Sequence, residues 1–599
     1  MKIIFVDEHW QINKININSK DIIFSLKPDC SYLLKKKSIK FYDYSDFYNH
    51  ELEWKNYYNQ NTIIEKLVNI IDTNFFNYSP SYKKLNWRIF NDFSYVIKIW
   101  YDTLLFHSKV LNKIVSNFQP NEFEFSKKTE LGINNDYLIN DSVNIIELLA
   151  KYNLKIKIIY PKESKQHDKK INIFSFGQPK HLKNVPSLLL KKIKFINNLK
   201  LKYIFKYKKI EHLAIGCDEI FPDKSFKSNY IFNIFPENDV KKNKVDEDLF
   251  STTKKLLYNF GAFKHENINF YFIFEELIKY ISCRSDFFYS EFKKFSKYLE
   301  NKKIKTFIFQ SMSSFYYPIF IFRLLAQIKN IPFFTWVHGG YFAVSNPGYD
   351  VVDYKFCKNH IGYGKYLIDL VNSRETSIKK INKIKFNINY VGSFRFDKIH
   401  KATKYKISNK KKIITFYIGG YTNMNHFYYG YNRKDTVTSL WKQQLEILKI
   451  LNYFSDEYNI VVKDYPNGYE KLWRNIIKKE FNNKFTYLSN EKRLEQVFSE
   501  SDLNIFPWVS TTFFEALYYE SDIFLYEEDL FTEPFKKNFN NEVIWSTNLD
   551  DFKDKVFNYL KKGTFKKLSK TKSRNYFINY DENYDTKINN LKKILSKAN

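Results

Sequence analysis

Ser501–Leu517 reads SDLNIFPWVSTTFFEAL, and the order of residue types in it sets the fold. Leu503–Phe506 is a short apolar run of strand length, Pro507 to Ser510 breaks it, and apolar residues at helical spacing resume from Thr512 to Tyr519. A buried strand turning directly into a helix is half of a βα unit.

Working outward, the same alternation repeats. Strands are expected at Ile413–Ile418, Ile460–Lys463, Phe485–Leu488 and Ile523–Tyr526, with helices at Val437–Phe454, Tyr469–Phe481 and Arg493–Ser499 between them. Such spacing makes a parallel, doubly wound sheet, and a terminal amphipathic helix at Tyr584–Lys597 completes a domain spanning 401–599. Upstream, strand Thr306–Phe309, helix Pro318–Lys329 and strand Phe333–Val337 form another βαβ unit. Lys2–Val6 reads as a buried first strand, followed by helical packing segments between residues 50 and 120. Residues 154–240 show short strands such as Ile156–Tyr160 and Leu213–Gly216 among Lys-rich stretches, without a readable order. The expectation is an α/β chain of two Rossmann-like domains facing a cleft, the first spanning 1–400 with a helical insertion at about 50–120.

Composition sets the bounds. With 599 residues the chain exceeds one core, and 44% apolar with 27% charged residues is the range of globular proteins rather than disorder. The formal charge of +31 would attract nucleotides, nucleic acid or anionic headgroups. Lys is abundant together with Asn, Ile, Phe and Tyr, which AT-rich codons supply, so a compositional surface feature accounts for much of it. Cys30, Cys217, Cys283 and Cys357 are scattered without a CxxC pair, which argues against a zinc site or a disulfide framework. Asp7 and Glu8 directly after the first strand argue against a secretory signal, and Gln310 and Arg323 interrupt the best apolar run, Phe307–Leu325. A cytoplasmic chain, at most peripheral to the inner membrane face, is expected.

Glycine is scarce, yet nine of the 15 lie between Gly339 and Gly430. Uniform scatter would place about two there, so this stretch holds loops that need positive φ or close backbone approach. Ser510, Thr511 and Thr512 offer hydroxyls and backbone N–H groups at a helix start, chemistry suited to phosphate, and Glu515 offers a carboxylate to a ribose diol. The same residues also satisfy a capping box with Thr512 as N-cap and Glu515 at N3, which needs no ligand.

These pieces resemble GT-B glycosyltransferases of bacterial surface and capsular polysaccharide biosynthesis, and the related nucleotide-sugar 2-epimerases and CDP-glycerol glycerophosphotransferases. The STT…EAL segment is similar to their donor-site helix, VGSFRFD (Val391–Asp397) to their GSxRxD-type crossover, IVVKDYP (Ile460–Pro466) to their strand ending in Lys-x-x-Pro, and WVHGGYF (from Trp336) to their His-Gly loop. The resemblance covers about Thr306–Tyr526 and departs at Asp464-Tyr465, where relatives commonly place a His before the proline.

It implies a glycosyl transfer from a nucleotide-sugar donor to a glycan or lipid-linked acceptor, with the acceptor on the N-terminal side. Ser510, Thr511 and Thr512 would hold the diphosphate, Gly419 and Gly420 would let a loop approach it, Lys463 would add charge and Glu515 would hold the ribose. His338 would be the acid/base, with Gly339, Gly340 and Arg395 around it, and Asp7 and Glu8 are further candidate bases. His338 also reads as ordinary turn chemistry, and Arg395 with Asp397 as a structural ion pair. No metal or other cofactor is expected. Glycerophosphotransfer and epimerisation are alternatives on the same fold. A basic nucleic-acid-binding protein is an alternative of another class, disfavoured because charge is spread along the chain without a recognition motif. Basic stretches such as Leu188–Tyr207 fit either a membrane surface or a solvated face.

Overall fold

The computed structural model describes residues 1–14, 18–129, 131, 142–161, 210–217, 219, 221, 223–229, 247–300, 304–310, 317–337, 354–373, 385–401, 411–419, 437–464, 470–489, 491–526, 533–539, 542–563, 565 and 571–597. Its contacts divide the chain into two compact units. The first comprises Met1–Lys183, Asn233–Glu291 and Met424–Trp441; the second comprises Asn184–Phe232, Phe292–Asn423 and Lys442–Asn599.

The first unit is built on five parallel strands, β1 (Lys2–Val6), β2 (Ile22–Ser25), β3 (Tyr42–Asp43), β4 (Glu122–Glu124) and β5 (Lys157–Ile159), in the order β3-β2-β1-β4-β5. Helices His50–Tyr78, Pro80–Lys84, Ile89–Asp92 and Ser94–Phe118 fill the span between β3 and β4. Lys264–His265 and Ile268–Asn269 (β8 and β9) add a small antiparallel ladder.

One helix junction in this unit carries a charge device. Asp72 is fully buried, and its two carboxyl oxygens each accept a backbone N–H, from Phe90 and Asn91, at 2.9 Å, capping the short helix Ile89–Asp92. Burial outweighs these bonds and pushes the Asp72 carboxyl up to about 7. The unfolded chain releases that proton near pH ~3.9, so between the two values the native state binds more protons. Stability therefore falls as pH rises from about 4 to about 7, by roughly 4 kcal/mol, and is flat above. Asp72→Asn is expected to gain on the wild type in melting temperature between pH 5 and pH 8. A gap that stays constant across that range would contradict this reading.

The second unit holds two six-stranded parallel sheets. One comprises β6 (His212–Ile215), β7 (Phe226–Asn229), β10 (Thr306–Phe309), β11 (Phe333–Trp336), β12 (Asn359–Gly362) and β13 (Asn387–Tyr390), in the order β13-β12-β11-β10-β6-β7. The other comprises β14 (Ile413–Ile418), β15 (Asn459–Asp464), β16 (Thr486–Leu488), β17 (Leu503–Phe506), β18 (Asp522–Tyr526) and β19 (Ile544–Ser546), in the order β16-β15-β14-β17-β18-β19. Their central strands are buried almost throughout, because crossovers cover both faces of a parallel sheet.

The sequence assigns residues 1–400 to a single Rossmann-like domain. The described residues of that span instead build two parallel sheets, one in each unit. The strands that make the difference, β2 and β3, have four and two residues, too few to carry a period. Among the described residues no helix is long and apolar enough to cross a membrane.

Candidate functional site

In the last sheet β14 is the first strand in sequence and sits centrally, with β15 and β16 on one side and β17, β18 and β19 on the other. Strand order reverses between β14 and β17, which pair in parallel with Phe416 opposite Ile505. The loops leaving such a pair diverge to opposite faces and open a crevice beyond the strand ends, the place where ligands bind in open α/β sheets.

Gly419 opens the loop after β14 with a φ of +142°, in a region that side chains disfavour. Its conformation is clamped by Gln444, fully buried on helix Val437–Tyr453. The Gln444 side-chain amide donates to the Gly419 carbonyl at 2.7 Å, and its oxygen accepts the Gly419 N–H at 3.3 Å. The Gly419 N–H is thereby spent within the protein.

On the other strand of this pair, β17 ends at Phe506 and the chain reaches Ser510 in extended conformation before helix Thr511–Ala516. Ser510 is the N-cap, where the capping-box reading places Thr512. Its hydroxyl makes no cap bond, although its carbonyl accepts the Phe513 N–H at 3.1 Å. The box does not form because, with Ser510 as N-cap, N3 is Phe513 and Glu515 lies two residues further on, about half a turn round the helix. With six residues the helix has little macrodipole, so what its start can offer an anion is the individual hydroxyl and N–H donors of Ser510, Thr511 and Thr512.

Glu515 Oε2 lies 2.8 Å from His400 Nε2, and His400 Nδ1 lies 2.7 Å from the Tyr519 hydroxyl. The imidazole is fully buried and the Glu515 side chain is 15% exposed. His400 ends helix Phe394–His400, which follows β13, so this contact joins the two sheets of the second unit.

Lys463, expected to meet a phosphate, is 8% exposed at the end of β15. Its ammonium donates to the carbonyls of Asp464 and Ser489, and burial pulls its pKa down. It holds strand ends together. Arg395 and Asp397 do not form the expected pair: Asp397 pairs with Lys587 at 2.7 Å, and it is the backbone N–H of Arg395 that donates to Glu219, at 3.0 Å. Asp397 also accepts from the Tyr518 hydroxyl at 2.7 Å. The carboxylate and ammonium are both almost fully buried, and Lys587, on helix Tyr584–Ser596, comes closer to Asp397 than the more exposed Lys401 does, at 2.7 against 3.5 Å.

Asp7 and Glu8 lie in the first unit, on the loop after β1, where Lys27 Nζ approaches them at 3.8 and 3.5 Å. The Asp7 side chain is 1% exposed and that of Glu8 is 46% exposed. The structure thus brings Gly419, Lys463, Ser510, Thr511, Thr512 and Glu515 to one end of one sheet, and leaves Asp7 and Glu8 in another unit. His338, Gly339, Gly340 and Gly420, like the basic stretch Leu188–Tyr207, lie outside the described residues. A depression of about 580 Å³ lined by Lys398, Lys401 and Tyr580–Tyr584, with Asp397, contains none of the expected site residues.

Sequence reasoning missed Gln444, His400 and Lys587. Gln444 had a signal. It lies four residues after Leu440 and four before Leu448, both buried, so it is a polar side chain on the apolar stripe of its helix.

No protein-family model matches the chain, and no curated protein does. Among solved structures, S. aureus MnaA with UDP is similar at 12% identity and a TM-score of 0.38, over 65% of this chain and 97% of that one. A glycosyltransferase from Rickettsia africae is similar at 12% identity and 0.37, over 65% and 99%. Anabaena HepE with UDP and glucose is similar at 9% identity and 0.34, over 65% and 99%. TarM is similar at 13% identity and 0.33, and this chain spans 57% of its length.

Proposed function

We propose that the chain is a glycosyltransferase that moves a sugar from a nucleotide-sugar donor to an acceptor hydroxyl on a glycan or lipid-linked glycan of a bacterial surface polysaccharide. The observation that carries the reading is the reversal of strand order between β14 and β17, with the clamped Gly419 at the end of one strand and Ser510, Thr511 and Thr512 following the other, and Glu515 one turn further on. A nucleoside diphosphate suits that set of groups: hydroxyl and N–H donors for the phosphates, a carboxylate for the ribose.

In the transfer, the bond between the anomeric carbon and the diphosphate oxygen breaks, and one forms between that carbon and the acceptor oxygen. The electron pair leaves with the nucleoside diphosphate, whose charge the Ser510–Thr512 donors meet more strongly as it develops. The acceptor proton goes to a general base, for which His338 is the sequence's candidate. The scheme calls for no metal.

A thermal-shift panel of UDP-, GDP-, CDP- and CMP-linked sugars tests the reading. One base class is expected to raise the melting temperature by several degrees, and free nucleotide is expected to be released only when an acceptor is present. No shift with any donor would refute it. Gln444→Leu removes both bonds to Gly419 and is expected to weaken donor binding about tenfold, the equivalent of one lost positioning contact.

A further inference from the structure

Glu515 is half committed. One carboxylate oxygen is tied to a buried imidazole, and the other has no hydrogen-bond partner among the described residues, on a side chain that is still 15% exposed. A glutamate near the end of a short helix would otherwise sample several rotamers, each with its oxygens in a different place. His400 removes that freedom. With the ring proton on Nε2, the imidazole donates to Glu515, and Nδ1 is left to accept from the Tyr519 hydroxyl, which fixes the ring plane. Phe498, Tyr518 and Phe396 rings lie 5.3–6.2 Å from the imidazole and leave it little room to turn.

We infer that His400, held by Tyr519, is a positioning residue that presents the open oxygen of Glu515 to the 2′-hydroxyl of the donor's ribose, so that the substrate is a ribonucleoside-diphosphate sugar and its 2′-deoxy counterpart is rejected. The inference rests on the donor reading given above. The chemistry behind it is asymmetric. A fixed carboxylate that loses its hydroxyl partner stays desolvated and unpaired, whereas a mobile one turns to water. Selectivity against deoxyribose therefore depends on the residue that stops Glu515 from turning.

The test measures the binding of UDP, GDP, CDP and ADP and of each 2′-deoxy analogue by calorimetry on the full chain. Wild type, Glu515→Gln, His400→Phe and Tyr519→Phe are compared, each with its melting temperature. Wild type is expected to prefer the ribonucleotide at least tenfold. In His400→Phe that ratio is expected to fall towards one with affinity for the deoxy analogue raised above wild type, because the freed carboxylate turns to water, and Tyr519→Phe, which keeps the imidazole, is expected to lie between them. A merely structural histidine would lower both affinities together. A folded His400→Phe that keeps the full ratio overturns the inference. Should His400→Phe not fold, an unchanged ratio in Tyr519→Phe overturns it as well. Equal wild-type binding of both sugars overturns it while leaving the donor reading intact; binding of no nucleoside diphosphate at all removes the donor reading, and the inference with it.

Discussion

Lys587→Ala is expected to destabilise the protein by about 3–5 kcal/mol in denaturant unfolding, because it strands a buried carboxylate. Asp397 is 4% exposed at the side chain and Lys587 is fully buried, 2.7 Å apart. Burial pulls the Lys587 pKa down while Asp397 works against it, so each charge is tolerated only in the presence of the other. Lys401, 3.5 Å from the same carboxylate and 32% exposed, is too solvated to replace the lost partner. Asp397→Leu with Lys587→Met is expected to recover most of the loss, since paired apolar replacements avoid the desolvation of both ions. A single-variant cost below about 1 kcal/mol would mean that water reaches the pair.

Gly364→Val is expected to have a comparable or larger effect, of about 3 kcal/mol or more. A Cβ at Gly364 would stand 2.2 Å from the Tyr576 carbonyl oxygen, 2.5 Å from the Phe577 carbonyl carbon and 2.6 Å from its oxygen. All three are backbone atoms, so no side-chain rotation relieves them. Helix Thr571–Ile578 would have to lift away, taking the buried Phe577 off Tyr366 and Phe514, its ring neighbours at 6.0 and 5.9 Å. Limited proteolysis provides the second readout, with cleavage expected near residue 570 in the variant and not in wild type. A variant that melts and is cleaved like wild type would show that the helix has room to shift.

Legibility in the sequence followed locality. Lys2–Val6, Thr306–Phe309, Ile413–Ile418 and Leu503–Phe506 are found at their expected bounds, because strands buried on both faces are continuous apolar runs. The residues around β14 and β17 were readable as a group because each belongs to a short local pattern. Their partners were not. His400 and Glu515 are 115 residues apart, and Asp397 and Lys587 are 190 apart, and no periodicity reports a contact of that separation. The capping-box alternative failed for a related reason: it treats Glu515 through its neighbours in sequence, whereas a distant imidazole takes the carboxylate. Strand β19, Ile544–Ser546, was not anticipated.

Parallel pairing throughout the three sheets also bears on how the chain reaches its native state. Each such pairing waits for a crossover to close, which slows folding and leaves unpaired strand edges open to other molecules while it proceeds. The outermost strands β3, β5, β16 and β19 have only two or three residues and offer a foreign strand little to grip. Those of the remaining sheet, β7 and β13, have four each. Intermolecular association during concentrated refolding should therefore start on that sheet.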